Sequence, residues 1–127
     1  MCPKELKYTK SHKWIKIEGS NAIIGLTDFA IVQVGEIIFI RLPVKEDKIT
    51  FDKSFGEFES TKAVFELFSP VTGTVLEINE EVVKSPEIIT KDPYGKGWLV
   101  KAKLENPTEV SLLLNSDEYT EFTTGGQ

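Results

Sequence analysis

The chain has 127 residues, of which 40% are hydrophobic, and this size and composition predict a single domain over residues 1–127 with its own core. Fifteen basic and twenty acidic side chains give a net charge of −5, which would repel nucleic acid and anionic membrane surfaces and argues against both as partners. No apolar run in the sequence is long enough to cross a bilayer.

The N-terminal segment favours a protein that is not exported. Its sequence, MCPKELKYTK, lacks the apolar core of a signal peptide. Cys2 is the only cysteine, so neither an intramolecular disulfide nor a cysteine metal site can form. These features predict a cytoplasmic location, or a mitochondrial one if a transit peptide has been removed.

The first third of the chain predicts a hairpin followed by a short helix. The alternating run HKWIKIE, the turn GSN and the run AIIGL form two strands. Thr27 can cap a helix over DFAIVQV with its hydroxyl, and Gly35 can end it in a left-handed conformation. The β-branched residues in this segment oppose a helix.

The rest of the chain alternates short strands with turns. Strands are predicted over EIIFIRLP, SFGEFES, AVFELFSP, VTGTVLEIN and GWLVKAKL. A polar loop with a short strand is predicted at VKEDKITFDK, and a long loop with a short helix at EEVVKSPEIITKDPYGKG. NPTEVSLLL has the cap signals of a C-terminal helix, followed by the tail TTGGQ. The predicted fold class is mainly β, a small sandwich or barrel with a few short accessory helices and a C-terminal helix.

Residue types that perform catalysis are sparse. His12 is the sole histidine, whereas hydrolytic triads and zinc sites need a histidine beside a nucleophile or several together, so we expect it to pack or hydrogen-bond beside Trp14. Glu57, Glu59 and Glu66 are expected to form a solvated strand face. The glycines expected at turns with positive φ, rather than in a phosphate-binding loop, are Gly73, Gly95 and Gly97. The sequence therefore predicts neither catalytic residues nor a metal site.

Lys62 lies between two strand-like runs, in GEFESTKAVFEL. An ordinary lysine at a hairpin tip would keep its ammonium in water and make no contact that stabilises the fold. The neighbouring motifs indicate that Lys62 is more than an ordinary surface lysine. ESTKA, followed by SPVTGTV, resembles the lipoyl attachment region of the glycine cleavage system H protein family, in which ESVKA and SPVSG are typical.

Other landmarks of that family occur in the right order. They are KYTKSHKWIK, GLTDFA, VGEIIFIRLP, KSPEIITKDPYGKGWL and a final helix with EYTEF. The resemblance covers about residues 7–122, which is the expected core of the domain between flexible termini.

The resemblance implies a fold, a cofactor and partners. The fold is a barrel-sandwich hybrid like that of biotinyl and lipoyl domains, and the cofactor is lipoic acid attached to Lys62 as N6-lipoyl-lysine, with Glu59, Ser60, Thr61 and Ala63 as its recognition context. The function is that of a non-catalytic carrier that takes an aminomethyl group from the pyridoxal-phosphate-dependent glycine decarboxylase (P protein) to the tetrahydrofolate-dependent aminomethyltransferase (T protein). Dihydrolipoamide dehydrogenase (L protein) reoxidises the arm, and a lipoate ligase or a lipoyl/octanoyl transferase attaches it.

The sequence departs from the family pattern at three positions. Lys13 replaces the acidic residue that usually follows the SH histidine, Val34 ends a segment that is usually polar, and Phe65 stands where small polar residues are common. If these three line a groove beside the arm, the groove is less acidic than an aminomethyl cation prefers. Glu66 keeps an acid near the expected place.

These departures leave two other functions to weigh. One is an H-like lipoyl carrier that serves another system, such as a sulfur-oxidising heterodisulfide-reductase-like complex or a lipoyl relay. The other is an unmodified scaffold that only binds partners, with Lys62 bare. An enzyme fits least, because no nucleophile and base pair is evident.

Overall fold

The computed structural model describes residues 3–125, in which nine strands and short helices alternate. Cys2 lies outside the described residues. The strands are β1 (Lys7–Tyr8), β2 (Lys13–Glu18), β3 (Asn21–Leu26), β4 (Ile37–Arg41), β5 (Lys48–Ile49), β6 (Ser54–Ser60), β7 (Val64–Phe68), β8 (Gly73–Ile78) and β9 (Val100–Leu104). The helices are α1 (Asp28–Val34), α2 (Glu80–Lys84), α3 (Glu87–Lys91) and α4 (Ser116–Gly125), with a 3₁₀ helix at Pro107–Leu112.

The strands form two antiparallel sheets that share one core. A six-stranded sheet has the order β1-β2-β3-β9-β8-β5, and a three-stranded sheet has the order β4-β6-β7. Ile15 and Ile24 of the first sheet belong to the same buried cluster as Ile40, Phe58 and Leu67 of the second. The mainly β class predicted from the sequence is confirmed.

The short helix α1 forms where its caps predicted it. The Thr27 hydroxyl accepts a hydrogen bond from the Ala30 N–H at 3.1 Å, and Gly35 ends the helix with φ of 82°, a conformation that glycine adopts without strain. Ala30 and Val34 are buried on the face of α1 that packs on the main core. Capping and burial thus outweigh the low helix propensity of its β-branched residues.

The C-terminal helix begins later than its sequence signals predicted. NPTEVSLLL forms the 3₁₀ helix Pro107–Leu112, and α4 begins at Ser116. Leu114 exchanges two backbone hydrogen bonds of 2.8 Å with Tyr8, and this pairing needs an extended chain, which stops the helix. The predicted tail also needs correction, because α4 includes residues 123–125.

Other local predictions are corrected in detail. The predicted loop over residues 80–97 contains two short helices, α2 and α3, and β1 was not predicted. Gly73, Gly95 and Gly97 do not have positive φ. They are needed for close approach instead: a Cβ on Gly73 would lie 2.1 Å from the Lys103 carbonyl oxygen, and one on Gly97 would lie 2.8 Å from the Asp92 carbonyl oxygen.

A second, aromatic cluster joins the N-terminal strand to α4. Tyr8 stacks on Tyr119 with ring centroids 4.8 Å apart, and buried Leu6 and Trp14 complete the cluster. The Trp14 indole N–H donates to the Pro93 carbonyl at 2.8 Å, which ties the loop after α3 to the same cluster. Both ends of the described chain are therefore fixed on the six-stranded sheet.

Candidate functional site

The hairpin of β6 and β7 presents Lys62 at its tip. The two strands pair Glu57 with Glu66 and Glu59 with Val64, and the N–H of Ser60 donates to the Ala63 carbonyl at 2.9 Å to close the turn. Thr61, Lys62 and Ala63 are all exposed. The structure therefore brings the four predicted context residues to one tight turn around Lys62.

The buried Ser60 hydroxyl fixes the backbone of that turn. Its Oγ accepts from the N–H of Lys62 at 3.1 Å and lies 3.4 Å from the N–H of Ala63. The Thr61 N–H donates to the Glu36 carbonyl at 3.1 Å, which anchors the turn to the residue before β4. The root of the Lys62 side chain is thus held by the hydrogen bonds of the turn.

The end of the Lys62 side chain lies against α1. Its Nζ donates to the Gln33 carbonyl at 3.3 Å, and a Cβ on Gly35 would lie 3.8 Å from the Lys62 Cε. No basic residue of α1 lies in its last turn, so Lys62 supplies the positive charge that stabilises a helix C-terminus. This corrects the expectation that a lysine at the tip makes no such contact.

Sequence reasoning did not assign Gln33, Gly35 or Glu36 to the site. Gln33 and Glu36 contribute backbone carbonyls, and Gly35 contributes the space that a side chain would fill. Every residue has a backbone carbonyl, so the residue types at these positions give no sign of this role. The only sequence signal was the predicted end of the helix.

The acids beside the tip differ in their surroundings. Glu57 forms an ion pair with Arg41 at 2.9 Å. Glu59 is exposed, forms no ion pair with another residue of 3–125, and lies in one cross-strand row between Phe39 and Val64. Phe39 is 50% exposed and Val64 60%, so the face below Lys62 offers one free carboxylate between two apolar side chains.

The three residues that depart from the family pattern do not form an open groove. Lys13 is only 2% exposed, and Val34 is also buried. Phe65 is half-buried and stacks on Phe58, with ring centroids 5.2 Å apart. Lys13 donates from Nζ to the Ser11 carbonyl at 3.0 Å, and burial lowers its pKa to about 8. The expectation that these three residues line a groove beside the arm is therefore wrong.

His12 is held in place by a hydrogen bond and by aromatic packing. Its Nδ1 lies 2.8 Å from the Tyr119 hydroxyl, which lies 2.8 Å from the Thr27 hydroxyl, so α4 is linked to the N-cap of α1. The ring packs on Phe29 and Phe122 at 4.8 and 6.1 Å. Burial, and secondarily the nearby Lys13 charge, lower the His12 pKa. The expectation placed this histidine beside Trp14; the hydrogen bond and the packing are found instead on Tyr119, Phe29 and Phe122.

Two further findings concern metals and membranes. Over residues 3–125, no three histidine, cysteine, aspartate or glutamate side chains are grouped so that they could hold a metal ion. Within the same range, every helix is too short or too polar to span a bilayer.

Removing the Ser60 hydroxyl tests the rigid turn. We expect Ser60→Ala to loosen residues 61–63, because two backbone N–H groups lose their acceptor, and to cost about 1 kcal/mol of unfolding free energy. Amide hydrogen exchange at Lys62 and Ala63 should rise about fivefold, which is the equivalent of that cost. Ser111→Ala, which removes a hydroxyl bonded to the Thr108 carbonyl far from the hairpin, should leave both amides unchanged. Equal exchange in both variants would contradict the role of Ser60.

Comparisons with known proteins agree on one family. The family described as "Glycine cleavage H-protein" matches residues 6–125. A "Glycine cleavage system H protein" from Carboxydothermus hydrogenoformans is 49% identical over 117 residues, which are 92% of this chain and 90% of that protein. One of the same name from Staphylococcus carnosus is 48% identical over 120 residues, covering 94% of this chain and 95% of that protein.

A solved structure is similar over nearly the whole chain. The crystal structure of a glycine cleavage system H protein from Mycobacterium marinum superposes with a TM-score of 0.87 at 33% sequence identity. The match covers 99% of this chain and 100% of that one. The barrel-sandwich architecture predicted from the sequence is confirmed by this similarity.

Proposed function

Because the chain belongs to the glycine cleavage H-protein family, we propose that it is the lipoyl carrier of glycine cleavage, with lipoate attached to Lys62. It takes an aminomethyl group from the P protein, a pyridoxal-phosphate-dependent glycine decarboxylase, to the T protein, a tetrahydrofolate-dependent aminomethyltransferase. The L protein, dihydrolipoamide dehydrogenase, returns the arm to its oxidised form. The family match favours this role over a carrier for a sulfur-oxidising or lipoyl-relay system.

One observation carries the proposal: Lys62 is an exposed amine on a turn whose backbone is fixed. Ser60 and the Glu36 carbonyl hold the turn, while a 3.3 Å hydrogen bond to a carbonyl of α1 holds the end of the side chain. An acylating enzyme can therefore reach Nζ without unfolding the hairpin. The residues present fit a lipoyl amide, since acylated Nζ keeps one N–H that the Gln33 carbonyl can accept.

Attachment changes the chemistry of the lysine. The amine attacks the acyl carbon of an activated lipoyl donor, a proton leaves the nitrogen, and the leaving group of the donor departs. When bound, the lipoyl group supplies a disulfide that can be opened to carry a group on sulfur and then closed by oxidation.

The chain itself serves as a tether. The turn holds the root of the arm in place, and the flexible side chain lets its end reach the active sites of successive partners at high effective concentration. The sole histidine is engaged with Tyr119, which fits a carrier that leaves catalysis to its partners. A cytoplasmic location and attachment by a lipoate ligase or a lipoyl/octanoyl transferase complete the proposal.

Intact mass and peptide mapping after expression in a lipoylating host test the attachment. The expected result is one lipoyl group per chain, on Lys62. The lipoylated chain should then support release of CO₂ from glycine by P protein, and the unmodified chain should not. A bare Lys62 in that host would support the unmodified scaffold instead and would overturn the proposal.

Charge reversal at Glu59 tests recognition by the lipoylating enzyme. We expect Glu59→Lys to slow lipoylation by about tenfold, because this exposed carboxylate lies on the strand that leads into the Lys62 turn and a charge near the target steers encounter and orientation. Glu77→Lys reverses an exposed strand glutamate of the other sheet and should leave the rate unchanged. Initial rates of mass increase measure both, and equal rates for Glu59→Lys and the unchanged protein would remove Glu59 from the recognition surface.

A further inference from the structure

Three separate segments of the chain meet in one hydrogen-bonded network. KYTKSHKWIK contributes His12, GLTDFA contributes Thr27 and EYTEF contributes Tyr119. The Tyr119 hydroxyl lies 2.8 Å from the His12 Nδ1 and 2.8 Å from the Thr27 hydroxyl. The proposed carrier function uses none of these three side chains, so their meeting has another role.

The direction of the hydrogen bonds follows from Thr27. Its hydroxyl oxygen accepts from the Ala30 N–H at 3.1 Å, and the residue is fully buried. Within residues 3–125, the Tyr119 hydroxyl is the only other polar group bonded to this hydroxyl. The Thr27 proton must therefore point to the Tyr119 oxygen, because a buried donor without an acceptor is costly. Tyr119 then donates its own proton to Nδ1, which requires a neutral His12 with its proton on Nε2.

The network acts on the helix that holds the Lys62 turn. Thr27 is the N-cap of α1, and a helix of seven residues is too short to be stable without its cap and its packing. At the other end of α1, the Gln33 carbonyl accepts from the Lys62 Nζ at 3.3 Å. The Glu36 carbonyl, which follows α1, accepts from the Thr61 N–H at 3.1 Å. A change at the cap is therefore transmitted to the turn.

The surroundings of His12 oppose its protonation. Burial is the main cause of its lowered pKa, and the charge of neighbouring Lys13 is the second. From α4, the ring of Phe122 packs on His12 and has the Lys10 ammonium 5.6 Å from its centroid. Asp28 of α1 accepts a hydrogen bond from a tyrosine hydroxyl of the loop after α3. The exposed acids of α4 are Asp117, Glu118 and Glu121.

We propose that His12, Tyr119 and Thr27 form a latch that holds α1 against the Lys62 turn while His12 is neutral and opens when Nδ1 takes up a proton. A proton on Nδ1 turns this nitrogen from an acceptor into a donor. The hydroxyl proton of Tyr119 or of Thr27 then loses its acceptor in a buried place, which loosens the cap of α1. The latch goes beyond the carrier function, since it operates with or without lipoate on Lys62.

The sign of the pH effect follows from the lowered pKa of His12. In the opened state this histidine has its ordinary pKa of 6.5. The latch is fully closed well above pH 6.5, and opening increases as the pH falls below 6.5, because the opened state binds the proton first. Between pH 7.5 and 5.5 the opening constant should rise by up to about tenfold, the ratio of protonated to neutral histidine one unit below its pKa.

The first test uses the unmodified protein, so its result is independent of lipoylation. At pH 7.5 the ¹⁵N spectrum of His12 should show a bare Nδ1 and a protonated Nε2, and a proton on Nδ1 would overturn the proposal. Amide exchange at Ala30 and Thr61, corrected for its intrinsic pH dependence, gives the opening constants of the cap and of the turn. Both should rise together as the pH is lowered to 5.5, and a rise at Ala30 alone would disprove transmission to the turn.

Two variants separate the latch from ordinary packing. His12→Asn places a carbonyl oxygen where Nδ1 was, and asparagine tolerates the φ of 66° at this position. This variant should lose the pH dependence, because its acceptor does not titrate. Tyr119→Phe should raise exchange at Ala30 and Thr61 about fivefold at pH 7.5, the equivalent of about 1 kcal/mol for a lost hydrogen bond.

The matched control is Tyr8→Phe, which removes a hydroxyl from the ring that stacks on Tyr119 and leaves the latch complete. It should leave exchange at Ala30 and Thr61 unchanged. Equal exchange in Tyr8→Phe and Tyr119→Phe, or an unaltered pH dependence in His12→Asn, would refute the latch and leave the carrier function standing.

Discussion

Lys62→Arg is expected to abolish lipoylation and all carrier activity while leaving the fold intact. Arginine keeps the positive charge, the exposure and a donor for the Gln33 carbonyl, so the unfolding free energy should change by less than about 0.5 kcal/mol. Its guanidinium stays protonated and is not an amine that can be acylated. Intact mass after expression in a lipoylating host measures lipoylation, and a denaturant melt measures the unfolding free energy.

The control for Lys62→Arg is Lys84→Arg, at an exposed lysine in the last turn of α2. That variant should be lipoylated at the normal rate and should support CO₂ release by P protein. Lipoate found on the Lys62→Arg protein would mean that another lysine is the target. Loss of the folded state in Lys62→Arg would mean that Lys62 has a structural role beyond its hydrogen bond to α1.

Lys13→Met should give the largest change in stability. Lys13 is 2% exposed, and burial lowers its pKa from 10.5 to about 8. This lowering corresponds to a cost of about 3 kcal/mol for holding the ammonium in the folded protein. Methionine fills a similar volume without charge, so at pH 7 the variant should be more stable by up to about 3 kcal/mol.

The sign of the pH dependence follows from the direction of the Lys13 shift. Below pH 8 the lysine is protonated in both states and the whole cost is present. Between pH 8 and 10.5 the folded state loses its proton first, so the unfolding free energy rises with pH. The Tyr94 pKa is raised, mainly by burial, and this group opposes further gain at higher pH because tyrosinate favours the unfolded state. The rise is therefore best measured between pH 7 and 9.5.

Denaturant melts of the protein and of Lys13→Met over that range measure the effect. The protein should gain stability with pH, and the variant should lose this slope. Lys16→Met, at a half-exposed position on the same strand, should keep the slope. The His12 pKa should also move up in Lys13→Met, because the Lys13 charge contributes to lowering it. Parallel slopes in all three proteins would contradict a buried ammonium at position 13.

Much of the fold could be predicted from short stretches of the sequence. The β2–β3 and β6–β7 hairpins follow from strand-forming runs on either side of short turns, and α1 follows from Thr27 and Gly35 as caps. The start of α4 could not be predicted in the same way. The signals in NPTEV are local, whereas the pairing of Leu114 with Tyr8 joins distant parts of the chain and decides where the helix begins.

The site was predictable only in part for a similar reason. The motif around Lys62 predicted a turn with this lysine at its tip, and the structure has that turn. Lys62 as the target of lipoylation stays a prediction. The contacts that position the side chain come from backbone carbonyls of α1 and the residue before β4. The burial of Lys13 was also hidden from the sequence, since a lysine in an alternating strand normally faces water.

The contact between the two ends of the chain determines the order of assembly during translation. Tyr8 needs Leu114 for its backbone bonds and Tyr119 for its ring partner, so the aromatic cluster cannot close until nearly the whole chain has left the ribosome. The β6–β7 hairpin has only local contacts between its strands and can form while synthesis continues. A nascent chain would thus expose its lysine turn before the docking of α4 stabilises the N-cap of α1, and a lipoylating enzyme that requires the completed α1 platform would modify only released protein.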